Sequence, residues 1–291
     1  MRRLLIDKDP AEFQTLALYV EADATRLCYQ PLGEPLNFVQ MQARRQPLNL
    51  PDHTHFAAEL ANLGVSVRLT LAWQQREFWV LVRQQRHDRG DTVLKLISGY
   101  VPAAQVALPL LTAIQEVAEE CLVENAGKWL SGRYAETWLP APYAEALRYQ
   151  ERPVFNLLPL CGAAQPVLCG EQPLLERPQA YVHLPTASLQ LVYDMRLSLP
   201  SQVAAPSLYH VDEQLHDGRL LAWLDTEQAD LFLLEMIEGR PSKRLYQLRA
   251  GQLKAVSPRG LWLSESFARQ RGWVVTQERV RFSDWWRRQR P

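Results

Sequence analysis

The sequence predicts an α/β fold, and three observations carry that expectation. Residues 65–73 alternate, with Val65, Val67, Leu69, Leu71 and Trp73 separated by Ser66, Arg68, Thr70 and Ala72. A period of two is the signature of a strand with one buried face. After the polar turn Gln74-Gln75-Arg76-Glu77, the run Phe78-Trp79-Val80-Leu81-Val82 is wholly apolar, as for a strand covered on both sides. Third, residues 94–124 read as a strand, a glycine-containing loop and a helix in which Leu110, Ile114, Val117 and Cys121 recur at helical spacing.

The bulk properties bound what such a chain does. With 291 residues it is long enough for one large domain or two ordinary ones, and 47% hydrophobic with 22% charged residues is a globular profile. The 32 basic and 32 acidic residues cancel, so no global field recruits nucleic acid or a membrane surface. No apolar run approaches the roughly 20 residues that span a bilayer. Asp7 and Asp9 interrupt the start before a secretory apolar core forms. Cys28, Cys121, Cys161 and Cys169 are scattered, which suits thiols packed in a reducing cytoplasm and disfavours structural zinc.

From the N-terminus, Asp9-Pro10-Ala11-Glu12 has the cap, first-turn proline and third-position glutamate of a helix start. Phe13, Leu16, Ala17 and Val20 would be that helix's buried face. Residues 29–51 read as loop with a short strand at 36–41. A second helix is expected over 54–63, stopped by Gly64. His53 and His55 bracket its start, where capping or surface roles outrank a metal site.

Residues 64–100 supply the strands already described, ending in a loop with Arg83, Arg86, His87 and Arg89. A solvated loop accounts for most of these. One arginine there is a candidate for meeting a substrate phosphate. The helix that follows places Glu116, Glu119 and Glu120 on one arc, because residues three and four apart share a face. Carboxylates so close repel one another unless a cation sits among them, and Mg2+ is a natural partner for clustered oxygens. The plain alternative is a solvated acidic face.

This order resembles the Nudix hydrolases, whose signature is G-x5-E-x7-R-E-U-x-E-E-x-G-U, with U a bulky aliphatic residue. Glu116, Val117, Glu119, Glu120 and Val123 match its second half. Gln115 stands where the family has Arg, Leu122 where it has Gly, Ala107 at the first Glu position and Val101 at the first Gly position; Gly99 serves as the loop glycine only with a longer loop. The resemblance implies an α/β/α sandwich with a mixed sheet, here flanked by an N-terminal helical extension and a C-terminal α+β extension. The corresponding boundaries are 1–63, 64–240 with an insertion around 124–186, and 241–291. It also implies that Glu116, Glu119 and Glu120 are metal ligands and catalytic groups for Mg2+ or Mn2+, acting on a pyrophosphate linkage in a nucleoside diphosphate-type small molecule. A nucleotide-binding or regulatory module that kept the fold and lost turnover is the alternative.

Beyond the acidic helix, residues 125–152 read as irregular with a short helix, and an apolar run covers 154–160. Residues 188–199 alternate as a strand. The segment His210, Asp212, Glu213, His216 and Asp217 has a metal-site composition but no recognised spacing; Glu213 is a candidate extra ligand or base for the first site. A helix is expected over 226–238, then a hairpin over 244–256 turning at Ala250-Gly251, a short helix over 261–270 and a strand over 273–282. Ser283 is placed as the cap of a terminal helix whose Trp285 and Trp286 dock on the domain. Its Arg287, Arg288 and Arg290 suit the C-terminal end of the helix dipole better than a nucleic acid. The aromatic content leaves room for a homodimer interface.

Overall fold

The structure, a computed structural model, describes residues 2–9, 13–86, 91–160, 162–163, 165–216, 219–227 and 231–289. Strands dominate it. Among the described residues there are three α-helices, α1 (Phe38–Arg44), α2 (Pro109–Glu120) and α3 (Phe282–Arg288), and everything else regular is strand or a 3-10 turn. The expected α/β/α sandwich with helical N-terminal and α+β C-terminal extensions is therefore replaced by a predominantly β architecture.

Strand Asn62–Trp73 lies at its centre. It pairs in parallel with Ser188–Ser198, from Asn62 opposite Ser188 to Leu71 opposite Leu197. On its other edge it pairs antiparallel with Ile97–Tyr100 along its first half and with Arg76–Arg86 along its second. Leu63, Val65, Val67, Leu69 and Leu71 are fully buried, and so are Leu189 and Leu191 beside them. The alternation in the sequence thus does mark one core-facing side. A wider set of strands joins this pair in a hydrogen-bonded network that closes on itself. Two smaller sheets flank it. Arg2–Lys8, Arg219–Asp225 and Val211–His216 form one; in the other, five-stranded, Leu27–Asn37 is central between Val167–Cys169 and Gln14–Ala22, and Phe56–Leu60 pairs the far edge of Gln14–Ala22.

Several expected helices are strands, each for a tertiary reason. Residues 10–12 of the proposed first cap lie outside the described residues, but Gln14–Ala22 is hydrogen-bonded on both edges, which no local helix signal overrides. The helix expected over 54–63 is Phe56–Leu60 followed by the start of the central strand; Ala57, Ala58 and Glu59 favour helix only weakly against a completed ladder. Gly64 caps nothing: it lies within a strand, and the Gln190 carboxamide occupies the space its Cβ would take. The helix expected over 226–238 is strand Leu231–Ile237, sandwiched between Arg76–Arg86 and Arg240–Arg249. A short apolar run does not distinguish a buried strand from a buried helix. Glu238 (φ 51°) and Gly239 (φ 72°) form a left-handed hairpin turn rather than a helix stop.

In the opposite direction, of the strand expected at 36–41 only Leu36 and Asn37 are strand, closing Leu27–Asn37, and the rest is helix α1. Asn37 accepts from the Gln40 backbone N–H while the Gln40 side chain accepts from the Asn37 N–H, a reciprocal cap. The hairpin of Arg240–Arg249 and Gln252–Val256 turns at Ala250 and Gly251 as expected. Residues 261–270 hold a short strand, Trp262–Ser264, and a 3-10 turn, Glu265–Phe267, in place of a helix. Helix α3 has Arg281 at its N-cap position, two residues before Ser283 and without a side-chain cap bond, and it buries Phe282 and Trp285.

Candidate functional site

Helix α2 begins at Pro109, whose missing N–H costs nothing in a first turn, and ends where the Cys121 N–H bonds the Val117 carbonyl. It buries Leu110, Ala113, Val117 and Ala118. That face packs on strands Ile97–Tyr100 and Asn62–Trp73. The packing fixes the other arc, where Glu116, Glu119 and Glu120 meet Lys95, Ser98 and Gly99 at the sheet edge.

Glu120 is the most tightly held of the three. Lys95 Nζ donates to its Oε1 at 3.0 Å, and the Ser98 N–H donates to its Oε2 at 3.2 Å. His210 Nε2 stands 3.9 Å from the same Oε1. Burial pushes this carboxyl up, but the Lys95 ammonium beside it, with His210, outweighs that and holds it down at about 2. Burial likewise works against the Lys95 ammonium, and Glu120 outweighs it, so its pKa is raised. The two form a buried ion pair.

Glu119 and Glu116 are pushed the other way. Burial raises Glu119; the hydrogen bond from Gln115 Nε2 to its Oε1 (2.9 Å) opposes this, while Glu213 and Glu120 add to it. Gln115, where the resembled signature has Arg, thus orients a neighbouring glutamate without neutralising it. Glu116 rises well above the usual carboxylate range, first through burial and then through Glu120 and Glu119, with Lys95 only partly compensating. Its carboxylate lies against Gly99, in the space a Cβ there would overlap. Among the described residues no hydrogen-bond donor reaches it.

Glu213 completes the group from strand Val211–His216. The Tyr143 hydroxyl is 3.0 Å from Glu213 Oε1 and 3.2 Å from the Glu119 carbonyl oxygen, and its single proton bonds one of them at a time. Four carboxylates therefore share the buried Lys95 ammonium, with Lys8 adding positive charge near Glu119. Among the described residues, no three His, Cys, Asp or Glu groups are already gathered tightly enough to hold one ion. The Glu116 carboxylate nonetheless suits a hard cation chemically, since burial and its acidic neighbours disfavour its charged form and a cation would offset that.

The sequence places the three glutamates on one arc, and the structure adds Glu213 to them. From the same histidine–aspartate segment His210 also joins, beside Glu120, whereas Asp212 does not. Asp212 stands 3.8 Å from Arg2 in an exposed pair, and Asp217 lies outside the described residues. His53 and His55 belong to an exposed turn in which Asp52 accepts the Thr54 and His55 N–H groups. His87 and Arg89 lie outside the described residues. Of the expected box positions, Val101 is buried with its N–H on the Leu63 carbonyl, so Gly99 is the glycine that meets the helix. Lys95, Ser98 and Tyr143 went unread. A lysine inside the apolar run Val93-Leu94-Lys95-Leu96-Ile97 was the available signal, because a buried lysine demands an acidic partner.

No family model matches this chain, and no curated protein matches it either. Among the described residues, no helix is long and apolar enough to cross a membrane.

Proposed function

We propose that the α2 carboxylate cluster binds a divalent cation, Mg2+ or Mn2+, and that the protein hydrolyses a pyrophosphate linkage in a nucleoside diphosphate derivative. One observation carries the cation: Glu116 is held beside three further carboxylates with no donor of its own among the described residues. The E-U-x-E-E core from Glu116 to Glu120 is what points to pyrophosphate chemistry.

Glu116 and Glu119, each pushed toward the protonated form, are the groups a cation would hold in the ionised form. Glu120 is already neutralised by Lys95 and anchors the end of the helix against the sheet edge. Glu213 is exposed, with Tyr143 orienting it, and is the carboxylate best placed to take a proton from an attacking water. When bound, the ion would neutralise phosphate oxygens and make water more acidic.

A second reading has its own observation. Lys95 occupies the cluster as a built-in counter-ion, and Gln115 brings no charge, which suits a module that binds nucleotide without turnover.

Calorimetric titration of Mn2+ and Mg2+ into the protein and into a Glu116→Gln/Glu119→Gln variant is the test, followed by incubation with a panel of nucleoside diphosphate derivatives. Metal binding lost in the variant, together with release of nucleoside monophosphate, is the expected result. Binding without product selects the second reading. Equal absence of metal binding in both proteins removes the cation and the hydrolase with it.

A further inference from the structure

The sheet that carries α2 on one side has a cavity on the other. Lys95 reaches Glu120, whereas the next residue, Leu96, lines this second space; likewise Val67 joins the core while Arg68 lines the cavity. Its volume is about 540 Å3, enough for a small organic ligand. Trp79, Tyr181, Phe267 and Trp285 supply aromatic surface, and Arg68, Arg269 and Arg288 supply charge.

The charge is one-sided. Among the described residues that line the cavity none is a carboxylate. Arg68 is committed to Asp194 through two hydrogen bonds of 2.5 and 2.7 Å and lies over the Trp79 ring at 5.3 Å. Arg269 and Arg288 are exposed, and among the described residues no ion pair engages either. The wall also carries one orphaned polar atom. Tyr181 is only 3% exposed, and among the described residues its hydroxyl has no hydrogen-bond partner. Buried polar atoms are rarely left so unless a water or ligand serves them.

We infer that this cavity is a second binding site, separate from the carboxylate cluster, for a small phosphorylated molecule with a flat ring: a nucleoside monophosphate. Arg269 and Arg288 at the rim meet the phosphate, and the aromatic wall takes the base.

The test is direct titration of AMP, GMP, CMP and UMP in the presence of EDTA, followed by the fluorescence of the tryptophans that line the cavity and by calorimetry. Removing divalent ions silences metal-dependent binding at the α2 cluster. At least one nucleotide is expected to bind saturably. Its affinity should fall tenfold or more in Arg269→Ala/Arg288→Ala, two exposed positions whose loss leaves the core intact. It should be unchanged in Glu116→Gln/Glu119→Gln, so this site stands or falls independently of the proposed hydrolase. The inference is overturned if none of the four binds below about 1 mM, a level of affinity too weak to report a built site. Equal binding of the parent nucleoside, or undiminished binding by the double arginine variant, overturns it too.

Discussion

Lys95 and Glu120 show how much one pair decides at this site. Both side chains are more than four-fifths buried, at 16% and 17% exposure, so removing one leaves the other without its main counter-charge. Lys95→Met is expected to cost about 3–5 kcal/mol in urea unfolding, and Lys95→Met/Glu120→Met to recover most of it. The pH response follows from opposite shifts in neighbouring groups. Glu116 binds its proton more tightly folded than unfolded, so its contribution is full at pH values below the unfolded carboxyl range and is lost as pH rises through the folded value. Glu120 is depressed, so its contribution is present above the unfolded range and lost as pH falls toward about 2. Lowering the pH from neutral to about 5 should therefore stabilise the protein, and the gain should shrink in Glu116→Gln. Saturating Mg2+ should flatten the same dependence if the cluster holds the ion. Urea midpoints across that range, with and without metal, read both effects.

At the scale of elements, α2 was legible because two signals agree on it. Its apolar stripe predicts the buried Leu110, Val117 and Cys121, and its first-turn proline predicts where it starts. The three glutamates followed from the same periodicity. What the helix rests against was not legible. Gly99 sits in a strand with ordinary backbone geometry, and its value is room for the Glu116 carboxylate, a fact of tertiary approach. Gly99→Ala should leave the strand paired and displace the flexible end of Glu116. The expected result is near-wild-type unfolding with weakened Mn2+ binding, read by calorimetry beside urea titration. The 226–238 segment fails for the converse reason. Every residue of Leu231–Ile237 but Glu235 is apolar, and that Glu235 is buried on Arg76 across the sheet, a partner far away in sequence.

For the whole molecule, the alternating and apolar runs of the centre were read correctly, and the secondary sheets were not. Strands such as Gln14–Ala22 are defined by neighbours on both edges, whereas capping and spacing signals report only a few residues at a time. The two faces of the central pair explain why α2 and the arginine-rimmed cavity do not compete for space: one face is Val65, Val67 and Leu69, the other Arg68 and Val192. Leu191→Ala, fully buried within that pair, should cost about 2–5 kcal/mol and lower metal affinity only indirectly. Thermal unfolding with and without Mn2+ separates the two effects.

The parallel ladder of Asn62–Trp73 and Ser188–Ser198 has a bearing on biosynthesis. Its members are far apart along the chain; Arg68 and Asp194 are separated by 126 residues. A nascent chain therefore carries an apolar strand with one open edge until the second strand leaves the ribosome, a long wait for a segment prone to pair with other chains. Chains released before residue 188 should collect in aggregates or on chaperones, whereas chains released after 198 can close the central ladder.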